Sequence, residues 1–186
     1  MIAPMMVGLM IMADKLVTLV LTDKWSMAVP YIRIFCMVYL LYPIHTANLN
    51  AIKALGRSDI FLRLEIIKKI LGLIILIIGI KIGPEAIAYG LLLCSFINQF
   101  VNAYPNRSLL GYTLKEQMTD IAPPIVLSCI MAAGVILVGR CNLPVLLTVV
   151  LQAVTGVILY IVLSAALKVD TYVYLKNLLR SYRTRT

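Results

Sequence analysis

The chain has 186 residues, 62% of them hydrophobic and 13% charged, with a mean hydropathy of +0.98. A soluble domain carries about twice that charged share, whereas about six spans of about 20 apolar residues each would use roughly two thirds of the length and leave no room for a separate soluble domain. In that setting the formal charge of +9 speaks to membrane sidedness, and nucleic acid is not an expected partner.

Hydrophobic patterning predicts an all-α, polytopic membrane helix bundle with spans over 2–21, 29–55, 60–82, 84–104, 121–139 and 144–167. The first span starts at Met1 without a basic flank and runs past the usual length of a removable signal, so it is expected to stay in the mature protein. Asp14 and Lys15 lie inside it, where charge is expensive and needs a partner or a hydrated cavity. Asp14 should lie about 10 Å from the outer helix end and pair with Lys15, Arg33 or water. In the second span Arg33 lies about one turn within the outer boundary, from where it can snorkel. Pro43 falls mid-span and should free a carbonyl and kink the helix. His45, with Asn48 on the same face close to that kink, is either a satisfied hydrogen-bonding residue or a functional one.

Ser58 is the expected N-cap of the third span, followed by the opposite-charge pairs Asp59–Arg63 and Glu65–Lys69 one turn apart. These should carry the helix well into the headgroup region. Gly72, Gly79 and Gly83 recur on one face, the last two in G-x-x-x-G spacing, which predicts a close approach to another helix. The fourth span holds the clearest constellation: Ser95, Asn98, Gln99, Asn102 and Asn106 fall within an arc of roughly 100°. Two readings stay open, amides that bond neighbouring helices at about 0.6 kcal/mol each and a hydrated pathway. Ser128 and Ala132 on the fifth span, and Thr148, Gln152 and Thr155 on the sixth, read as interhelical contacts. Pro30, Pro84, Pro123, Pro124 and Pro144 are placed near helix starts, where a missing N–H costs little. Beyond the last span, Tyr172, Leu175, Leu179 and Tyr182 alternate with Lys176, Arg180 and Arg183, which predicts an amphipathic segment on an anionic leaflet.

Basic residues divide sharply between the two sides. Arg57, Arg63, Lys68, Lys69, Arg107, Lys115, Lys168, Lys176, Arg180, Arg183 and Arg185 flank one face, against Lys24, Lys81 and Arg140 on the other, so the first face and both termini are expected to be cytoplasmic. Cys36, Cys94, Cys129 and Cys141 are isolated and read as reduced, structural thiols. With His45 as the single histidine, a His/Cys metal site would have to be assembled from separate helices, and neither a metal nor another cofactor is expected. The chain has no phosphate-binding glycine loop, no G-x-S-x-G elbow and no close carboxylate pair on one span, so an enzyme is not expected.

The run Leu21-Thr22-Asp23-Lys24-Trp25, then Ala28-Val29-Pro30, Ala54-Leu55-Gly56-Arg57-Ser58-Asp59 and Leu64-Glu65-Ile66-Ile67-Lys68-Lys69, resembles the lipopolysaccharide and O-antigen polysaccharide flippase family of the multidrug, oligosaccharidyl-lipid and polysaccharide exporter superfamily. The likeness covers about residues 1–69 and is compositional beyond. It implies a transporter that moves undecaprenyl-pyrophosphate-linked sugars, O-antigen or capsule repeat units, to the outer leaflet of the bacterial inner membrane through a cavity between two six-helix lobes. This chain resembles the C-terminal lobe, with 1–167 as the lobe and 168–186 as a cytoplasmic basic tail.

In the superfamily the helices matching the first, second and fourth line the cavity. The substrate-pathway candidates are therefore Asp14, Lys15, Arg33, His45, Asn48, Ser95, Asn98, Gln99 and Asn102, with Lys15 and Arg33 suited to a pyrophosphate. The implied partners are the bilayer, the lipid-linked oligosaccharide and a second six-helix lobe, either an N-terminal half or another copy. The alternative is a truncated or accessory, non-transporting membrane protein of polysaccharide biosynthesis.

Overall fold

A computed structural model describes residues 2–141 and 143–167. Within them the chain forms α1 (Ile2–Leu21), a 3-10 turn (Asp23–Ala28), α2 (Val29–Leu40), α3 (Tyr42–Ala54), α4 (Ser58–Ile82), α5 (Pro84–Leu110), α6 (Leu114–Gly139) and α7 (Val145–Ala166), with no strand. Among the described residues five stretches are long and apolar enough to cross a membrane, α1, the run 23–54, α5, α6 and α7; α4, which holds the expected third span, is not one of them. In α4, Asp59, Arg63, Glu65, Lys68 and Lys69 crowd the first half, and the apolar residues follow. Leu62, Ile66, Ile70, Leu73, Ile77 and Ile80 are exposed at helical spacing along one face of α4, a surface suited to lipid. The amphipathic tail expected over 168–186 lies outside the described residues.

Both sequence landmarks are turns. Thr22 takes φ 73°, and its carbonyl accepts from the N–H of Trp25 at 3.1 Å. Gly56, at φ 68°, ends α3 in a Schellman motif: its N–H bonds the Lys53 carbonyl at 3.0 Å and the Arg57 N–H bonds that of Ile52 at 3.2 Å.

Several expected boundaries move. Pro43 does more than kink the second span, which breaks at Leu41 into α2 and α3, because a proline N cannot bond the carbonyl four residues back and its ring crowds that group. At α4 the N-cap is Arg57 and makes no side-chain cap bond, so Ser58 is the first helical residue and not the cap. Asp59 pairs with Arg57, Nε to Oδ1 and Nη2 to Oδ2 at 3.0 Å each, because the arginine just outside the helix reaches back over its first turn. Glu65 pairs with Lys68 instead of Lys69, one of the two spacings that share a helix face.

The fifth span starts earlier than expected. Thr113 and Glu116 form a capping box, in which the Thr113 N–H donates to Glu116 Oε2 at 2.7 Å and the Glu116 N–H donates to Thr113 Oγ1 at 3.3 Å. Helix α6 therefore begins at Leu114, and Pro123 and Pro124 lie inside it and not near its start.

The described residues divide into two compact units, 2–26 with 121–141 and 143–167, and 27–120. In the first, α1 packs along α7 over a core that includes Val7, Ala13, Val17, Met131 and Val135. In the second, α5 packs on α2, α3 and α4. Of the glycine stripe, Gly79 makes the close approach: a Cβ there would stand 2.8 Å from Ile87 Cγ1 and 3.2 Å from Ile87 Cα. Gly90 of α5 repeats the arrangement against Ile75. Gly72 meets nothing within 4 Å, and Gly83, at φ 139°, joins α4 to α5 in a conformation that favours glycine.

Candidate functional site

In the second unit the polar face of α5 turns inward. Ser95, Gln99, Asn102 and Asn106 are buried, as is Asn48 of α3, whereas Asn98 and His45 are half-buried. Their hydrogen bonds form two chains, each given a direction by a backbone carbonyl, which can only accept. Asn106 Nδ2 donates to the Asn48 carbonyl at 3.2 Å and to Asn48 Oδ1 at 2.7 Å. Asn48 must then turn its Nδ2 to Gln117 Oε1, at 2.9 Å, and Gln99 Nε2 donates to the same oxygen at 3.3 Å.

The second chain starts at the Val38 carbonyl beside the α2–α3 break. Ser95 Oγ donates to it at 3.5 Å. Ser95 is left to accept, so His45 Nε2, 3.3 Å away, carries the imidazole proton. Its Nδ1 is then an acceptor and faces Asn102 Nδ2 at 3.4 Å. Both chains leave the side-chain oxygens of Gln99, Asn102 and Asn106 buried and without a hydrogen-bond donor. These residues stand three and four apart, on one face of α5.

The first unit places Lys15 and Gln152 on the same helix end. Lys15 Nζ donates to the Gly139 carbonyl at 2.7 Å, a cation at the negative terminus of α6. Gln152 Nε2 donates to the Val135 carbonyl at 3.0 Å. This is the interhelical contact expected of the α7 polar stripe. Thr148 and Ser128 instead bond the Pro144 and Pro124 carbonyls of their own segments, at 3.1 and 2.7 Å. An apolar cavity of about 470 Å³ lies within this unit, lined by α1, α6 and α7, with Met5, Met12, Met131, Gln152 and Tyr160 among its walls.

The nine candidates thus fall in different places. Asp14 is exposed and Lys15 half-buried in the first unit, and Arg33 is exposed in the second. His45, Ser95 and Asn102 form one chain; Asn48 and Gln99 join the other; Asn98 lies half-buried beside them with its Oδ1 accepting no hydrogen bond. Gln117 was missed by sequence reasoning. It is 1% exposed and receives both amide donors, and the Thr113-x-x-Glu116 cap is the signal that would have brought it into a helix. Outside the spanning segments, the Tyr112 hydroxyl donates to Asp120, whose carboxylate pushes the phenol up to about 12. Among the described residues no group of three His, Cys, Asp or Glu side chains could hold a metal ion, and Cys36, Cys94, Cys129 and Cys141 are free thiols.

Long apolar helices with inward-turned polar chains define a polytopic helical membrane protein, and the chain resembles the O-antigen and polysaccharide flippase family. In particular, it is similar to the lipopolysaccharide biosynthesis protein WzxC of Escherichia coli (strain K12): 28% of 144 residues are identical, over 74% of this chain and 29% of that protein. The chain therefore spans less than a third of that relative's length. No protein-family model matches the chain, and no solved structure does.

Proposed function

We propose that this chain is the C-terminal six-helix lobe of a flippase that carries undecaprenyl-pyrophosphate-linked sugars across the bacterial inner membrane, with both termini cytoplasmic. The similarity to WzxC, on a chain built of membrane-length helices that carry polar groups in their apolar stretches, is the observation that supports it. Charged and amide side chains inside hydrocarbon mark substrate and ion routes because they are costly elsewhere. In the second unit Arg33 is a candidate cation for a pyrophosphate and His45 and Asn98 candidate polar contacts to sugar; in the first, Lys15 and Asp14 are the corresponding candidates. Lys15 would exchange its bond to the Gly139 carbonyl for phosphate oxygens. The buried Asn48, Ser95, Gln99 and Asn102 enter the route only when their hydrogen bonds open. The chemistry is transport, with no bond made or broken and no cofactor.

Rocking two bodies around a site between them requires a second lobe. Liposomes containing only this polypeptide, with its oligomeric state determined in the same preparation, test this with a labelled polyprenyl-pyrophosphate glycan. The expected result is no flipping by a monomer and flipping once a second six-helix lobe or a second copy is present. Flipping by a proven monomer overturns the half-transporter. Failure with every partner lobe leaves the accessory, non-transporting protein in its place.

A further inference from the structure

We propose that His45 is a proton-binding site whose occupancy is read by the side-chain amide of Asn102, so that a proton resets the hydrogen bonds at the α2–α3 break. It stands whether or not the chain transports anything. The neutral ring is fixed as the Nε2–H form by the Val38 carbonyl acting through Ser95, and its Nδ1 lone pair faces Asn102 Nδ2. A proton arriving from water binds that lone pair and turns Nδ1 into a donor. Nδ1–H and Asn102 Nδ2 then oppose each other, donor to donor, at a separation of 3.4 Å.

The relief is already built in. Asn102 Oδ1 is buried and accepts nothing, so a half-turn of the amide presents it to Nδ1–H. The same half-turn swings Nδ2 toward the side where Gln99 Oε1 and Asn106 Oδ1, one turn away on either side, also lack a donor. Proton uptake therefore gives Asn102 Oδ1 the donor it lacks in the neutral form, and it turns the amide nitrogen toward a side with further unmet oxygens. Buried acceptors left unmade cost about 1–3 kcal/mol each, so the orphan oxygens work in favour of the protonated state.

Helices α2, α4 and α5 pack on α3, and α6 reaches it through the neutral Gln117 at Asn48. From α4 comes the Lys68 ammonium, whose charge reaches the ring and is held by Glu65. From α5 come neutral Ser95 and Asn102, with the buried thiol of Cys94 next in sequence. From α2 come the Val38 carbonyl and the buried thiol of Cys36. No carboxylate among these bonds the imidazole, so the Asn102 amide is the group that answers the proton.

His45 is the single histidine of the chain, and full-length protein labelled with ¹⁵N histidine therefore gives one imidazole to follow in lipid nanodiscs. At pH 8 the expected spectrum has a protonated Nε2 and an unprotonated Nδ1. Acidification should protonate Nδ1 and move the Asn102 side-chain amide signal with the same midpoint. Asn102→Asp, which supplies a carboxylate acceptor, should raise that midpoint by at least one pH unit, a tenfold gain in proton affinity. Asn102→Leu should lower it by at least as much. A Nδ1–H form at pH 8, or a midpoint unmoved by Asn102→Asp, overturns the proposal, and the aspartate variant carries the test if the leucine variant does not fold.

Discussion

Asp59, held by the forked guanidinium of Arg57, has its carboxyl lowered to about 2, below the ordinary value near about 3.9. A depressed carboxyl adds stability that is complete above the unfolded value and disappears as pH falls through the folded one. The pair is fully exposed, so the effect belongs to the first turn of α4 and not to the whole fold. Hydrogen exchange at residues 58–61 should accelerate between pH 5 and pH 2 beyond its intrinsic pH dependence, and Asp59→Asn should remove that excess. Gln117 matters more. Replacing it by leucine strips the acceptor from Asn48 Nδ2 and Gln99 Nε2 and should cost roughly 2–4 kcal/mol in unfolding measurements, since each buried unmet donor costs about 1–3 kcal/mol. Residue types and helical spacing made Ser95, Asn98, Gln99, Asn102 and Asn106 legible as one polar face, and His45 with Asn48 as another. Their partners were not, because a face drawn from one helix does not say which other helix completes it. Gln117 lay outside the expected span.

At the scale of elements, Gly79 and Gly90 let α4 and α5 approach until Ile87 and Ile75 fill the space their missing side chains leave. Gly79→Ala sets a methyl against the side chain and backbone of Ile87 and should destabilise the hairpin by about 1–3 kcal/mol, the usual cost of overpacking. A shorter partner in Gly79→Ala/Ile87→Ala should recover part of it in the same thermal denaturation. The sequence-read starts of α2 and α5 agree with the structure because a proline in the first turn marks each. That of α6 does not. Pro123 and Pro124 suggest a start near residue 121, yet a reciprocal cap such as Thr113–Glu116 can start a helix well before a proline pair that it then runs through.

For the molecule as a whole, the uneven placement of basic residues predicts that a cysteine at Lys115 is labelled by an impermeant thiol reagent only from the cytoplasmic side. Native Cys141, exposed after α6, should be labelled from the other. Labelling of position 115 from outside in intact cells would reverse the orientation. The fold class was plain from composition, since a chain this apolar has few alternatives. The unit boundary within α6 was not, because it depends on contacts between residues distant in sequence. The uneven make-up of α4 bears on the bilayer itself. Lys69 and Lys81 bracket its apolar stretch and stand about 18 Å apart along the axis at about 1.5 Å per residue, well short of the ~30 Å hydrocarbon core. If α4 crosses the bilayer, snorkelling by the two lysines offsets part of that shortfall, and the remaining mismatch draws the two leaflets together around the helix. The protein should accordingly melt at a higher temperature in short-chain than in long-chain phospholipid vesicles, and a headgroup crossing beside α4 would have less oil to traverse than in the undisturbed bilayer.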